Sequence, residues 1–464
     1  MSIVVQKFGG TSLGNSDRLK NVAGIIKNTI TSRDLVVVVS ALSSYTKAEG
    51  TTNRLLQAGQ LAIQGGDFSK VIDLIEDTHL TALTQSIKNP MIREEIKEYI
   101  HHELRSLKSF LEAIHVIREI SPRSHDVIVG TGERLSARLM SGVLRDQNVD
   151  AVYVDLSEIL PGTRNVLDKS YYRDLQKLIV EHLPENRKTV AIVTGFFGFV
   201  YGGIVASIGR GYSDLTAALI AAELKAEELQ IWKEVDGIFT ADPRKVPTAT
   251  VLDYITPAEA AELTYFGSEV LHPFTMERAI EASVPIRIKN TFTPEKPGTV
   301  ILPSSQTVAQ TNQKQTAVAV TTKKDVVIIN IHSNRMLHAS GFMSKVFSTF
   351  QKFGVIVDLI ATSEVNISCT LDDADHLEEV IRDLEGLADV TISRNKAILS
   401  LVGERMKYVP GTAGKMFTAL AQHNINIEMI SQGASEINIS CVIRQEDAEK
   451  ALNVIHKTFL ENNG

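Results

Sequence analysis

The sequence predicts an α/β protein with two parts: a three-layer α/β/α domain built on a mainly parallel sheet, followed by two smaller βαββαβ units. Three observations lead to this fold class. Up to about residue 300 of the 464-residue chain, short β-branched apolar runs alternate with helical patterns. Prolines and a polar tract then end the alternation. Beyond them, one order of strands and helices occurs twice.

Short runs rich in valine and isoleucine mark the strands of the first domain. Most are apolar on both faces, as strands buried inside a parallel sheet are. Helical segments between them would cover both faces of that sheet and complete the three layers. The predicted strands are Ile3–Lys7, Leu35–Ala41, Val127–Gly130, Ala151–Leu156, Thr189–Gly195, Glu228–Glu234 and Pro285–Asn290.

Residues 53–119 interrupt this alternation, since they contain helical patterns and no strand signal. Asn89 followed by Pro90 is typical of a helix start. After it, apolar residues recur every three or four positions from Ile92 to Ile114 and form one stripe. This pattern favours a helical insertion packed on the sheet over a coiled coil.

The pattern of the first domain ends between residues 291 and 315, where three prolines and a run of polar residues indicate a domain boundary. An internal repeat follows. In it, Gly341–Asp358 aligns with Gly411–Glu428, and Ser363–Cys369 matches Ser435–Cys441. Each copy reads as strand, helix, two strands and a second helix. That order is typical of an antiparallel sheet with helices on one face.

Composition excludes several classes of protein. The chain has 48 lysines and arginines against 55 aspartates and glutamates, a net charge of −7, whereas nucleic-acid binding requires a basic surplus. Two cysteines, Cys369 and Cys441, cannot form a disulfide framework. We find no signal-peptide pattern and no apolar run of the roughly 20 residues that a membrane helix needs. We therefore expect a cytoplasmic protein without nucleic-acid or membrane partners.

The first candidate site is the turn after the first predicted strand, Lys7-Phe8-Gly9-Gly10-Thr11-Ser12. Adjacent glycines let the backbone come close to an anion, and the N–H groups at a helix start point toward it. Lys7 would supply a cation, and Thr11 and Ser12 hydroxyl donors. The alternative is an ordinary tight turn with a solvated lysine, because the turn fits neither the P-loop nor the dinucleotide pattern.

A second glycine-rich stretch runs from Gly195 to Asp214, and it also follows a predicted strand and opens a helix. Arg210 can bind a carboxylate or a phosphate through two hydrogen bonds, and Ser213 can cap the helix. Asp214 is either a residue matched to the helix dipole or a catalytic group. Its place near Arg210, in a chain that also has Lys7, favours catalysis.

The third stretch, Gly130–Ser136, is predicted as another turn between strand and helix, with Glu133 at the helix start. A glutamate there suits the helix dipole alone, and it equally suits a pocket for a substrate ammonium group. Loops at the carboxyl ends of parallel strands lie at one edge of the sheet, where ligands bind. An anion cradle, a lysine, an arginine and two carboxylates at that edge are the groups that phosphoryl transfer requires.

Taken together, these motifs resemble those of the aspartate kinases, in the amino-acid kinase superfamily. The repeat resembles the tandem ACT domains of that family, which have a ferredoxin-like fold. The resemblance covers nearly the whole chain. Its matching elements, in order, are Lys7–Ser12, Ser40-Ala41 with Thr46, Gly130–Glu133, Gly195–Gly198, Gly209–Asp214, Trp232–Arg244 and Phe266–Pro273.

The resemblance implies transfer of the γ-phosphoryl group of ATP to the side-chain carboxylate of L-aspartate, the first step of lysine, threonine and methionine biosynthesis. Mg²⁺ would be held largely by phosphates and water, without protein ligands. Lys7 and Asp214 are the implied catalytic residues. The implied ATP-binding residues are Gly9, Gly10, Thr11, Ser12, Lys233, Glu234, Phe239 and Arg244. The implied aspartate-binding residues are Ser40, Thr46, Glu133, Arg210, Gly211 and Ser213.

Some positions depart from the commoner bacterial pattern. Glu269 stands where many relatives have a lysine that reaches ATP, so the charge is reversed there. Tyr212 replaces a frequent glycine, and Phe239 stands where tyrosine is common. The run from Ser43 to Thr52, together with Ser268-Glu269, looks more like the fungal-type enzymes.

Tandem ACT domains imply feedback inhibition by an end-product amino acid and a homodimer or tetramer assembled through these domains. Asp358 would bind the effector ammonium group, and the loop before the helix its carboxylate. Asp358 and this loop look lysine-like, whereas the fungal-like catalytic motifs point to threonine, so both effectors stay open. The alternative is that these residues only pack a dimer. The implied effector-binding residues are Met336, Gly341, Phe342, Met343, Asp358, Thr362, Ser363 and Glu364.

The predicted domain limits follow from the boundary and the repeat. The limits are 1–300 for the catalytic domain, 301–315 for the linker, 323–395 for the first ACT domain, and 316–322 with 396–464 for the second.

Two other functions stay open. A sibling kinase acting on glutamate, acetylglutamate, carbamate or UMP would generally lack the helical insertion and the ACT pair. A decayed amino-acid sensor is disfavoured by the presence of Lys7, Glu133, Arg210 and Asp214, and favoured only by Glu269.

Overall fold

A computed structural model describes residues 2–44, 49–160, 167–209, 211–265, 271, 273–303, 316–333, 341–372, 376–433 and 437–461. The chain divides into two compact units. The first unit comprises Met1–Ile238 and Leu271–Thr311, and the second comprises Phe239–Val270 and Asn312–Gly464. None of the described helices is long and apolar enough to cross a membrane.

The strands of both units are numbered in chain order. They are β1 (Ile3–Phe8), β2 (Asp34–Val39), β3 (Ala151–Val154), β4 (Val190–Thr194), β5 (Glu228–Lys233), β6 (Tyr254–Ile255), β7 (Ile286–Asn290), β8 (Thr299–Ile301), β9 (Ala319–His332), β10 (Val357–Thr362), β11 (Asn366–Asp372), β12 (Asp389–Val402), β13 (Met429–Ser431) and β14 (Asn438–Arg444).

The helices are numbered in the same way. They are α1 (Ser16–Ile30), α2 (Thr51–Gln64), α3 (Ser69–Ser86), α4 (Pro90–Ile117), α5 (Pro122–Asp146), α6 (Lys169–Glu181), α7 (Ile204–Ser207), α8 (Tyr212–Glu223), α9 (Pro257–Tyr265), α10 (Pro273–Glu281), α11 (Phe342–Lys352), α12 (Leu377–Glu385), α13 (Thr412–Gln422) and α14 (Ala448–His456).

The sheet of the first unit places β1 at its centre. Its strands lie in the order β3-β4-β2-β1-β5-β7-β8. All neighbours are parallel except β7 and β8, which are antiparallel. Val36, Val37 and Val38 of β2 are all buried, so both faces of this strand are covered, as the apolar runs predict. The mainly parallel sheet predicted from the sequence is confirmed.

The helical insertion consists of α2, α3 and α4. Asn89 caps α4, because its side chain accepts hydrogen bonds from the N–H groups of Met91 and Ile92. The apolar stripe of α4, from Ile96 to Ile114, is buried in the same core as residues of the sheet and of α5. The insertion is therefore a subdomain packed on the first unit, not a coiled coil.

The strand predicted at Val127–Gly130 is wrong, because these residues lie inside the long helix α5. A short run of buried β-branched residues does not distinguish a strand from a buried helix. The signal that decides is Ser121-Pro122: the Ser121 side chain accepts a hydrogen bond from the Ser124 N–H, and proline occupies the first turn. The turn predicted at Gly130–Ser136 is likewise helical, so Glu133 lies in mid-helix.

The second unit contains a six-stranded antiparallel sheet in the order β10-β11-β9-β12-β14-β13. The two long central strands β9 and β12 pair along most of their lengths. Helices α11 and α12 cover one half of the sheet in a core around Ile329, and α13 and α14 cover the other half in a core around Leu399. The predicted repeat thus corresponds to two strand-and-helix layers that share one sheet. Cys369 and Cys441 are buried free thiols.

The segment from Phe239 to Val270 groups with the second unit, whereas the sequence predicts it in the catalytic domain. Ala241 and Val246 are part of the core that includes Leu399. Thr240 supplies polar contacts, because its carbonyl accepts a hydrogen bond from the Val320 N–H at 2.9 Å and its hydroxyl lies 2.9 Å from Nε2 of His456. Long-range packing of this kind leaves no local mark in the sequence.

Candidate active site

A cavity of about 200 Å³ lies where β1, β2 and β4 of the first unit reach their carboxyl ends. Its lining contains five of the residues predicted for the site, and also Val205 and Tyr212. Those five residues are Gly10, Thr11, Ser40, Glu133 and Ser213. The structure therefore brings together the three glycine-rich stretches, although one of them is a helix and not a turn.

Lys7 and Asp214 form a close ion pair beside this cavity. Lys7 lies on β1 and Asp214 in the first turn of α8, and Nζ of Lys7 is 2.6 Å from Oδ1 of Asp214. Their side chains are only 9% and 10% exposed. Screening by water is weak at such burial, so the attraction between these two charges is stronger than between surface charges at the same distance. The two predicted catalytic residues therefore lie in direct contact, and their catalytic roles stay a prediction.

The first glycine turn approaches the loop after β2 so closely that it requires glycine. A Cβ atom on Gly10 would lie 2.2 Å from the carbonyl oxygen of Ala41. The Gly10 carbonyl accepts a hydrogen bond from the Ser43 N–H at 3.0 Å. Arg18 supports the turn from α1 by donating to the carbonyl oxygen of Thr11 at 2.6 Å.

The Ser12 hydroxyl, which is predicted to face the phosphates, is engaged within the protein. It is buried and pairs with the hydroxyl of Thr291 at 2.8 Å. Thr291 also donates its N–H to the carbonyl of Lys233 at 2.8 Å, at the end of β5. Ser12 thus ties the glycine turn after β1 to the residue that follows β7, and sequence reasoning missed this residue.

Glu133 is a buried acid in the lining of the cavity. Burial raises its pKa to about 8, whereas attraction by Lys7 and hydrogen bonds from the Tyr212 side chain and from the Phe196 and Ala41 N–H groups lower it. Its Oε2 atom is buried without a hydrogen-bond partner among the described protein groups. It faces Gly195, where a Cβ atom would lie 3.1 Å away. Such an oxygen is suited to a ligand that brings a donor or a positive charge.

The two serines of the predicted aspartate site meet at the cavity wall. The hydroxyls of Ser40 and Ser213 lie 2.8 Å apart, and Ser136 donates to the Ser40 carbonyl at 2.7 Å. Ser213 does not cap α8, contrary to prediction: Gly211 occupies the cap position and no side chain bonds there. Thr46 and Arg210 lie outside the described residues.

The predicted nucleotide residues belong to different units. Lys233 ends β5 and the exposed Glu234 follows it in the first unit. Phe239 and Arg244 belong to the second unit, where Arg244 pairs with Asp242 at 2.9 Å and its side chain is 87% exposed. Glu269 lies outside the described residues.

Comparison with known proteins decides the family. The profile of the Amino acid kinase family matches residues 2–290, and the ACT domain profile matches residues 329–385 and 399–459. The aspartokinase of Schizosaccharomyces pombe is 46% identical to the chain, over 99% of the chain and 93% of its own length. The aspartokinase of Saccharomyces cerevisiae is 45% identical, over 98% of the chain and 92% of its own length. The chain belongs to the aspartokinase family.

Solved structures of aspartokinases agree with this assignment. The aspartate kinase of Clostridium acetobutylicum matches with a TM-score of 0.81 at 27% identity, covering 98% of this chain and 100% of that chain. E. coli aspartokinase III in complex with aspartate and ADP matches with a TM-score of 0.79 at 30% identity, covering 98% of this chain and 99% of that chain. The predicted family, fold class and aspartate kinase activity are confirmed.

The effector residues predicted for an aspartokinase are in part already engaged. Lys323 lies 2.8 Å from each carboxylate oxygen of Asp358, whose side chain is only 2% exposed, and also 2.8 Å from Asp372. In the second copy, Glu428 stands at the position of Asp358 and pairs with Lys396 at 2.7 Å. The predicted ammonium-binding carboxylate therefore already holds an ammonium group of the chain.

The other predicted effector residues surround the start of α11 and the turn after β10. Gly341 precedes α11 with φ of 91°, and a Cβ atom there would meet nothing within 4 Å. Phe342 and Met343 begin that helix. Thr362 ends β10, with Ser363 and Glu364 in the turn that follows. Met336 lies outside the described residues.

Proposed function

We propose that the cavity binds L-aspartate and ATP and transfers the γ-phosphoryl group to the side-chain carboxylate, giving 4-phospho-L-aspartate and ADP. The carboxylate oxygen attacks the γ-phosphorus, and the bond from that phosphorus to the β,γ-bridging oxygen breaks. The observation that supports this most is the Lys7–Asp214 pair beside the buried, unpaired oxygen of Glu133. The similar E. coli aspartokinase III was solved with aspartate and ADP.

Glu133 is proposed to hold the ammonium group of aspartate. Its buried oxygen needs a donor, and an ammonium group would stabilise the ionised carboxylate that burial disfavours. Ser40 and Ser213 offer hydroxyls at the same wall. Thr46, Gly211 and Arg210 complete the proposed site, with Arg210 on a substrate carboxylate.

Lys7 is proposed to stabilise the charge on the transferring phosphoryl group, because such reactions depend mainly on positioning and electrostatics. Asp214 would hold the Lys7 ammonium group in place. The first glycine turn would cradle the phosphates with Gly9, Gly10 and Thr11, and Ser12 would support it through its bond to Thr291. We propose the remaining nucleotide contacts at Lys233, Glu234, Phe239 and Arg244.

ATP would bring Mg²⁺ with it. Within the described ranges, no group of three or more histidine, cysteine, aspartate or glutamate side chains could hold a metal ion. Mg²⁺ that keeps its waters and binds through phosphates does not require such a group. When bound, the ion neutralises phosphate charge.

The decisive experiment measures aspartyl hydroxamate formed from L-aspartate, ATP and Mg²⁺ with hydroxylamine as the trap. Lys7→Ala is expected to remove the product, whereas Lys20→Ala, an exposed lysine on α1, leaves it unchanged. No product from the wild type, while an amino acid still binds, would replace this proposal by a sensor. Product in Lys7→Ala at the wild-type rate would refute the role of Lys7.

We also propose that the ACT domains bind threonine, an end product with an uncharged side chain, as the feedback inhibitor. Lys323 already contacts both carboxylate oxygens of Asp358, so the side-chain ammonium group that distinguishes lysine from threonine would have to compete with Lys323 there. In E. coli aspartokinase III, which was solved with lysine and aspartate, lysine is bound. Assembly as a homodimer or tetramer through these domains, a cytoplasmic location and the biosynthetic role are further proposals.

The effector test uses the same assay with added amino acids. Threonine is expected to inhibit the wild type and lysine not to. Lys323→Met frees Asp358 and is expected to introduce inhibition by lysine, whereas Lys396→Met frees Glu428 in the second copy and is not. Inhibition of the wild type by lysine would refute the proposed selectivity.

A further inference from the structure

We propose that Asp126 is a positioning residue for aspartate binding, because it fixes the loop that lines one side of the cavity. The proposal rests on the proposed function of that cavity. The Asp126 side chain lies in the first turns of α5 and is fully buried. Its Oδ1 accepts a hydrogen bond from the Ile204 N–H at 2.8 Å, and its Oδ2 accepts one from the Val200 N–H at 3.4 Å.

The loop held by Asp126 follows β4 and is rich in glycine. Gly198, Gly202, Gly203 and Gly209 all have positive φ angles, between 80° and 107°. Glycine adopts many conformations at little cost, so this loop depends on outside contacts for a single shape. Asp126 bonds the backbone on both sides of Gly202 and Gly203, and thereby fixes the sharpest part of the loop.

The contact with Asp126 lies one residue from the cavity. Ile204 begins the short helix α7, and the next residue, Val205, is part of the cavity lining. The loop then leads to Ser213, whose hydroxyl pairs with that of Ser40. Glu133 follows Asp126 by two turns of the same helix, so both side chains lie on one face of α5. Helix α5 therefore carries Glu133 and also anchors this loop, so it sets the position of one relative to the other.

The chemistry of Asp126 fits this role. Burial raises its pKa to about 6, while the N–H groups of Ile204 and Val200 lower it, so the carboxyl group is ionised at pH 7.5. Hydrogen bonds to an ionised carboxylate are stronger than those to a neutral group. Burying a carboxylate costs free energy even when backbone N–H groups bond it. A side chain that served only to pack the interior would not need that charge, so packing alone does not explain Asp126.

The test compares Asp126→Ala and Asp126→Asn in the hydroxamate assay. Alanine leaves two backbone donors unpaired, so the KM for aspartate is expected to rise on the order of tenfold. Both kcat and the KM for ATP are expected to stay within about twofold, the pattern of lost substrate binding. Asparagine keeps one oxygen acceptor for Ile204 and is expected to give an intermediate KM for aspartate.

Asp146→Asn is the matched control. Asp146 is the last residue of the same helix, and its carboxylate accepts hydrogen bonds from the Lys88 and Asn89 N–H groups, away from the cavity. This variant is expected to lower Tm without changing either KM. An unchanged KM for aspartate in Asp126→Ala, or an equal rise in both KM values, would overturn the proposal.

A binding measurement separates this proposal from the proposed function. Saturating aspartate is expected to raise the Tm of the wild type, and to raise that of Asp126→Asn less at the same concentration. If Asp126→Ala does not fold, this comparison decides the proposal on Asp126→Asn, and an equal rise in Tm refutes it. A wild type that binds aspartate but forms no hydroxamate would refute the proposed reaction and leave the role of Asp126 in binding testable.

Discussion

Replacing Glu133 by glutamine tests a carboxyl group that retains its proton at neutral pH. Burial raises the pKa of Glu133 to about 8, so about nine-tenths of these groups are protonated at pH 7 before substrate binds. An ammonium group against Oε2 favours the ionised form and lowers that pKa. Binding of L-aspartate at pH 7 is therefore expected to release about 0.9 proton per site.

Calorimetry in buffers of different ionisation enthalpy counts this proton. The slope of observed binding enthalpy against buffer enthalpy is expected to indicate release of about 0.9 proton for the wild type at pH 7. It should fall to about 0.1 proton at pH 9, where Glu133 is already ionised. Glu133→Gln is expected to show no release at either pH. A wild-type slope near zero at pH 7, or the same slope in the variant, would refute this account of Glu133.

The raised pKa of Glu133 also affects the free energy of unfolding. Between the ordinary glutamate pKa of 4.5 and the raised pKa of about 8, the folded state binds the proton more tightly than the unfolded state. Stability from this group is therefore present at low pH and decreases as the pH rises through that window, by at most about 5 kcal/mol. Urea unfolding should show Glu133→Gln gaining stability relative to wild type from pH 5 to pH 8.5. A difference that is constant with pH would contradict this.

Two further substitutions test the glycine turn and the insertion. Gly10→Ala is expected to remove activity and to lower Tm, because its Cβ atom would collide with the Ala41 carbonyl. Gly24→Ala is the control: a Cβ atom there has open space on α1, so this variant should instead stabilise the helix by about 0.5–1 kcal/mol. The Tm values of the two variants are compared. Leu104→Ala in α4 should lower the unfolding free energy by about 2–5 kcal/mol at unchanged kcat, as measured in urea and by hydroxamate formation.

The sheet could be predicted because its strands carry their own signal. Strands such as β2 and β4 are short, β-branched and bounded by polar residues, so local pattern and tertiary burial agree. Residues 127–129 give the same pattern within a helix, and the prediction failed there. The Ser121-Pro122 start marked this helix in the sequence, but a glycine pair downstream suggested a turn.

The candidate site was predictable only where a functional residue lies in a local motif. Lys7 and Asp214 flank glycine-rich stretches between a strand and a helix, whereas Asp126 and Val205 lie in no such pattern and reach the cavity region only through the fold. The pairing of Lys323 with Asp358 was equally invisible, because it joins β9 to β10 across the intervening strand β11, and the spacing of the two residues in sequence does not show this.

The helical insertion explains why Glu133 can keep its proton. Helix α2 belongs to that insertion, and its residues Asn53 and Leu56 line the cavity. Leu55 of α2 packs so close to α5 that a Cβ atom on Gly132, the neighbour of Glu133, would lie 3.1 Å from it. The insertion thus excludes water from this part of α5, and exclusion of water is the main cause of the raised pKa. Without α2, a glutamate here would titrate nearer its ordinary value and be ionised before aspartate arrives, so substrate binding would release no proton.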